Sequence, residues 1–141
     1  MKILLVEDQS SYATTLAGIL EGKGHEVTRA VDPSRADGIL SENDFGLIVV
    51  DLNMRTIGLT KEEIRQTANG LGTGWIWLIR YVLEDESRQK YRDKVVICSS
   101  YTEDFQKVLP IEYGEIRKRK IPFIKRENAQ KELLEIIKAI K

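Results

Sequence analysis

Apolar residues in this chain come in short runs that stop abruptly on polar ones. Lys2 to Val6 (KILLV) reads as a short buried strand, and Glu7 and Asp8 follow it directly. Ala13, Leu16, Ala17 and Leu20 recur at helical spacing, and Gly22 and Gly24 end that helix. Glu26 to Val31 (EVTRAV) alternates and predicts a second strand. Asp32-Pro33 marks a helix start, with Asp as cap and Pro at the first helical position; Ala36, Ile39 and Leu40 form its inward face. Leu47 to Val50 (LIVV) predicts a third strand, and it ends on Asp51.

The alternation is then interrupted. Residues 55 to 74 are mostly polar, and Thr60 with Glu63 forms a capping box framed by Leu59 and Ile64, so a short helix is expected there. Gly70, Gly72 and Gly74 close the segment. Trp75, Leu78, Ile79, Val82 and Leu83 make a strong helical stripe, which leaves Trp77 on another face, under the 55–74 segment or at a partner surface. A charged run from Glu84 to Asp93 leads to a fourth strand at Val95 to Cys98. A helical or irregular stretch breaks near Pro110, Ile121 to Ile124 (IPFI) predicts a fifth strand, and Leu133, Ile136, Ile137 and Ile140 mark a closing helix. Short apolar strands alternating with helices imply an α/β fold, a doubly wound parallel sheet covered on both faces. In such sheets ligands bind at the carboxyl ends of the strands, where the strand order reverses.

Composition narrows the possibilities. A chain of 141 residues suits one domain. Twenty-two Lys plus Arg balance 22 Asp plus Glu, which argues against binding nucleic acid by charge. Cys98, the one cysteine, forbids an internal disulfide and reads as core; with no apolar run fit to cross a membrane and no signal peptide in MKILLVEDQ, a cytoplasmic setting is expected. The single His25 makes a multi-histidine metal site improbable. Gly70 to Gly74 (GLGTG) is glycine-rich but lacks the Lys-Ser/Thr and preceding strand of a phosphate-binding loop. Arg117 to Lys120 (RKRK) reads as a solvated run or a contact for an acidic partner.

The polar residues at strand ends carry the chemistry. Glu7, Asp8, Asp51, Ser99, Ser100 and Lys125 all fall just past an apolar strand. Three carboxylates brought together repel one another, and Mg2+ suits such oxygen ligands. With a metal bound, Asp51 stays ionised and can accept a phosphoryl group as an aspartyl phosphate, while a lysine neutralises charge and a serine hydroxyl bonds a phosphoryl oxygen. Glu7-Asp8 could instead serve only to cap the first helix.

The stretches "ILLVEDQ", "LIVVDLNM", "VVICSSY" and "FIK", in this order, resemble a response-regulator receiver domain of two-component signalling over nearly the whole chain. The resemblance implies a flavodoxin-like (βα)5 fold with sheet order 2-1-3-4-5, and one receiver domain over 1–141 with an insertion at about 55–74. It implies Asp51 as phosphoacceptor, and Glu7, Asp8, Asp51 and the backbone carbonyl of Asn53 around Mg2+. It further implies Ser99 as switch hydroxyl and Phe123 as the fifth-strand aromatic, here without a hydroxyl. Lys125 is the first choice for the phosphate-binding lysine; counting back from Leu133-Leu134 puts Arg126 there instead. A sensor histidine kinase or phosphotransfer protein would donate the phosphoryl group, and the face of the fourth helix, fifth strand and fifth helix would alter binding of a protein partner. No nucleic acid, no membrane, and a monomer or weak dimer are expected.

Departures from the family pattern suggest rival readings. Arg55 replaces the usual proline, and the following loop is longer than usual. A lid over Asp51 is one reading of that loop. A pseudo-receiver that binds a partner without phosphorylation is another. An aspartate-nucleophile phosphatase is disfavoured, because Asp51-Leu52-Asn53 lacks the second acid. The chain fits either a stand-alone regulator or a receiver cut from a longer protein.

Overall fold

A computed structural model of the chain describes residues 1–140. Five parallel strands, β1 (Lys2–Val6), β2 (Glu26–Ala30), β3 (Leu47–Val50), β4 (Val95–Ser99) and β5 (Phe123–Lys125), form one sheet in the order β2-β1-β3-β4-β5. This is the expected flavodoxin-like α/β architecture. The fifth strand starts later than the apolar run predicts: Ile121 N–H bonds back to the Ile116 carbonyl of the preceding helix, so only the Pro122 carbonyl accepts from Ile97 before pairing begins.

Strand alternation divides the core in two. Ile3, Leu5, Leu47, Val49, Val96, Cys98 and Ile124 pack beneath α1 (Ser10–Gly22) and α7 (Ala129–Ile140). Leu4, Val6, Ile48, Val50, Val95 and Ile97 face the other layer. That layer holds α2 (Pro33–Glu42), α4 (Thr73–Trp77) with its π-helical continuation Leu78–Leu83, α5 (Thr102–Val108) and α6 (Pro110–Lys118). Asp32 caps α2 by accepting from the Arg35 N–H at 2.9 Å, with Pro33 next, as the sequence predicts. The chain kinks at Leu109 between α5 and α6, where Pro110 removes a donor.

The β3–α4 connection contains the short α3 (Lys61–Arg65), started by the expected capping box: Thr60 N–H donates to Glu63 Oε1 at 2.9 Å, and Glu63 N–H to Thr60 Oγ1 at 3.1 Å. The connection returns onto the strand it left. Gly74 N–H donates to the Leu52 carbonyl at 2.8 Å, and a Cβ at Gly74 would lie 1.8 Å from the Asp51 carbonyl oxygen. A Cβ at Gly72 would come closest to the tip of the Leu109 side chain, at 2.8 Å. Every residue of α4 is buried between the sheet and surface elements. Trp77, which its spacing put under the connection or at a partner surface, is therefore fully buried, as Trp75 nearly is.

The charged run 84–93 contributes to the packed structure. A 3-10 turn over Glu86–Tyr91 buries Arg88, which donates to Asp37 Oδ1 at 2.5 Å, the Tyr81 carbonyl at 2.7 Å and Ser41 Oγ at 3.0 Å. The buried Tyr91 hydroxyl accepts from Phe45 N–H at 3.1 Å.

Two glycines test this packing. Gly74→Ala forces the Asp51 backbone to move and should lower unfolding free energy by about 3 kcal/mol or more. Gly114→Ala, at a helical position with open space around it, should raise it by about 0.5–1 kcal/mol. Urea titration of both variants reads the two signs.

Candidate functional site

The strand alternation that builds the core also builds the site. Glu7 follows Leu5, and Asp51 follows Val49, on the α1/α7 side of neighbouring parallel strands. Both carboxylates are buried. Glu7, Asp8 and Asp51 each offer an oxygen, and the three oxygens lie within 4.8 Å of one another. The cleft above them, about 260 Å³, is also lined by Gln9, Asn53, Ser100, Tyr101 and Arg126.

Local bonds hold each acid. Glu7 Oε2 accepts from Gln9 N–H at 3.0 Å, and Asp51 Oδ1 from Leu52 N–H at 2.8 Å. Arg29, on β2, donates to the carbonyls of Glu7 and Asp8 at 3.0 Å each, fixing the β1–α1 turn. The buried Ser99 hydroxyl bonds Asp51 and accepts from Tyr101 N–H at 3.1 Å. Burial pushes the Glu7 carboxyl up to about 8, helped by the neighbouring Asp51 charge. Burial likewise raises Asp51, opposed by the Ser99 hydrogen bond and by Arg126.

The two candidate cations part company. Lys125 pairs with Glu103 at 2.8 Å on the α5 side and points away from the acids. Arg126 reaches in: its Nη2 lies 2.7 Å from Glu7 Oε1 and 3.5 Å from Asp51 Oδ2, and Nη1 bonds Gln9. The Arg126 guanidinium stacks 4.0 Å from the ring centroid of Tyr12, whose hydroxyl is 3.3 Å from Cys98 Sγ. Register explains the choice. Lys125 pairs with Ser99 at the end of β5, and alternation puts Arg126, not Lys125, on the side of Ile124, Glu7 and Asp51. Phe123 lies on the other side, with Phe105 and Tyr113 at ring-centroid distances of 5.8 and 5.2 Å.

Sequence reasoning passed over Tyr12 and Gln9. The available signal was their place at the start of a helix that leaves β1 directly at its carboxyl end. The connection from 55 to 72 does not line the cleft as a lid would. It is drawn sideways toward α2, where Ser34 N–H donates to the Ile57 carbonyl at 3.1 Å and Gly58 packs on the Ser34 backbone.

The chain has the fold of a response-regulator receiver domain, the CheY-like form of the flavodoxin fold. No family model matches it. It resembles the Vibrio cholerae chemotaxis protein CheY4 with a TM-score of 0.68 at 17% identity, covering 99% of this chain and 98% of that one. It resembles the Thermotoga maritima response regulator TrrA, solved in complex with Mg2+-BeF, with a TM-score of 0.63 at 18% identity, covering 99% and 98%. In sequence it is 38% identical over 69 residues to the Escherichia coli aerobic respiration control protein ArcA; the match spans 48% of this chain and only 29% of ArcA.

A raised carboxyl pKa makes the native state bind more protons than the unfolded chain, so stability falls as pH rises across that window. In EDTA, the urea midpoint should decline between pH 4.5, the ordinary value for Glu7, and about 8. Glu7→Gln should flatten that decline, and a flat wild-type profile would contradict the buried acid pair.

Proposed function

We propose that this domain is a signalling switch controlled by phosphorylation of Asp51. One observation carries the reading: three acids converge within 4.8 Å at the strand-order reversal of a receiver fold, with Asp51 at the end of β3. Three hard oxygen donors in one cleft fit Mg2+. Glu7, Asp8, Asp51 and the Asn53 backbone carbonyl would hold it, and when bound it supplies charge neutralisation for phosphoryl transfer.

Asp51 is the acceptor. Its carboxylate oxygen forms the new bond to phosphorus as the P–N bond of a phosphohistidine donor breaks, and the imidazole keeps the electron pair. The donor is a histidine kinase or a phosphotransfer protein. Ser99 and Arg126 bond the transferred oxygens; the Arg126 position, with its Nη2 3.5 Å from Asp51, favours it over Lys125. The output is a change of protein partner through α5, α6, β5 and α7, with Phe123 between Phe105 and Tyr113 as the aromatic that responds. The whole chain acts as one cytoplasmic receiver domain, a monomer or weak dimer. No helix among the described residues is long and apolar enough to cross a membrane.

A second reading has one observation in its favour. Arg126 already bonds Glu7 and Asp51, so the acids are partly neutralised without a metal, as a pseudo-receiver would require.

Incubation with Mg2+ and acetyl phosphate, followed by intact mass spectrometry, separates the two readings. A switch gives a single Mg2+-dependent phosphoryl adduct that Asp51→Asn abolishes. Failure to form the adduct, together with failure to bind beryllofluoride, supports the pseudo-receiver. Within the switch reading, Arg126→Gln should slow phosphorylation by about 10²-fold, the usual cost of losing one donor to a developing charge. Lys125→Gln should change the rate little; the opposite ranking would return the role to Lys125.

A further inference from the structure

A second surface lies apart from the acidic cleft and from the β5 side of α6. Between α4 with its π-helical continuation and α6 runs a groove of about 480 Å³. Trp75, Ile76 and Ile79 form one apolar side of it, and Ile111 forms the other. Ile111 stands in the first turn of α6 and is 83% exposed, the most exposed large apolar residue described. An isolated apolar surface residue is ordinary, but one that walls a groove with an apolar floor has the form of an anchor site.

The rim is acidic. Glu84, Glu112 and Glu115 border the groove against a single cation, Arg80, which is engaged with Gln66 Oε1 at 3.3 Å. Glu115 is bonded to Arg119 at 3.1 Å; Glu84 and Glu112 take part in no ion pair among the described residues. Helix α6 therefore has two chemically distinct sides. Tyr113 packs on Phe123 with Arg117 over its ring at 5.9 Å, while Ile111, Glu112 and Glu115 border the groove.

We propose that this groove docks an amphipathic basic helix of a partner protein, its bulky apolar residues against Ile111 and Ile79 and its Lys or Arg side chains toward Glu84 and Glu112. Charge decides the partner's chemistry: an acidic helix would meet like charge on both rims. A second copy of this chain fits less well. Its basic run, Arg117 to Lys120, contains no apolar anchor, and its flanking Ile116 and Ile121 are buried.

The test pans a displayed library of helical peptides on the full chain, with counter-selection on Ile111→Ser. The variant alters an exposed side chain, and circular dichroism checks that it folds. The expected peptides carry bulky apolar residues one helical turn apart with Lys or Arg beside them. Their Kd should weaken at least tenfold with Ile111→Ser and with Glu112→Lys, and tightly bound peptide should perturb Trp75 fluorescence. Recovery of no peptides, enrichment of acidic ones, or equal binding to both variants would overturn the proposal. So would a concentration-dependent dimer in sedimentation that Ile111→Ser abolishes, since that would make the groove an interface between copies.

Discussion

Two carboxylates buried side by side at the ends of adjacent strands are the constraint around which this molecule is arranged. Two like charges at 4 Å repel by about 4 kcal/mol even at an effective dielectric of 20. Glu7 and Asp51 are nearly sealed from water, so something must offset their charge. Protonation does part of it, as the elevated Glu7 shows. Arg126 does another part through a guanidinium that spans both acids. The sheet sets where these groups stand, and α1 supplies the aromatic plate, Tyr12, on which the guanidinium rests. A site held this way is strained toward any ligand that neutralises it better, which is the property a phosphoryl acceptor with a divalent cation needs.

Most of the architecture was legible because it rests on local periodicity. Runs such as KILLV and LIVV specify buried strands, and an Asp-Pro or Thr-x-x-Glu start specifies a helix. What escaped depends on contacts between distant segments. Phe123-Ile124-Lys125-Arg126 contains two cations, and only the pairing of Lys125 with Ser99 determines which of them faces the acids. Trp77 lay off the apolar stripe, so its spacing left open burial under the connection or a partner surface; it belongs instead to the core cluster on its side of the sheet. Nothing in the charged run 84–93 marks Arg88 as different from its neighbours, yet it is buried because Asp37, the Tyr81 carbonyl and Ser41 together satisfy its guanidinium.

Helix α4 joins the two surfaces of interest. Its first turn lies on the backbone of Asp51 through Gly74, and its later residues form the floor of the groove beside α6. The acidic cleft and the groove thus share one wedged element rather than lying on independent parts of the fold. Helix α6, in turn, separates the groove from the aromatic cluster around Phe123.

The way the β3–α4 connection closes has a consequence for chain length. The bond from Gly74 N–H to the Leu52 carbonyl ties both ends of a long excursion to the strand that launched it. The ends are fixed by the sheet, so the entropic cost of closing the segment between them grows only logarithmically with its length, about 0.6 kcal/mol for each doubling. Its tip, α3, has no fully buried residue. Residues can be added to or removed from that tip at small thermodynamic cost while the geometry of Asp51 stays pinned at the base, which makes this connection the place where the chain can most cheaply change its outline.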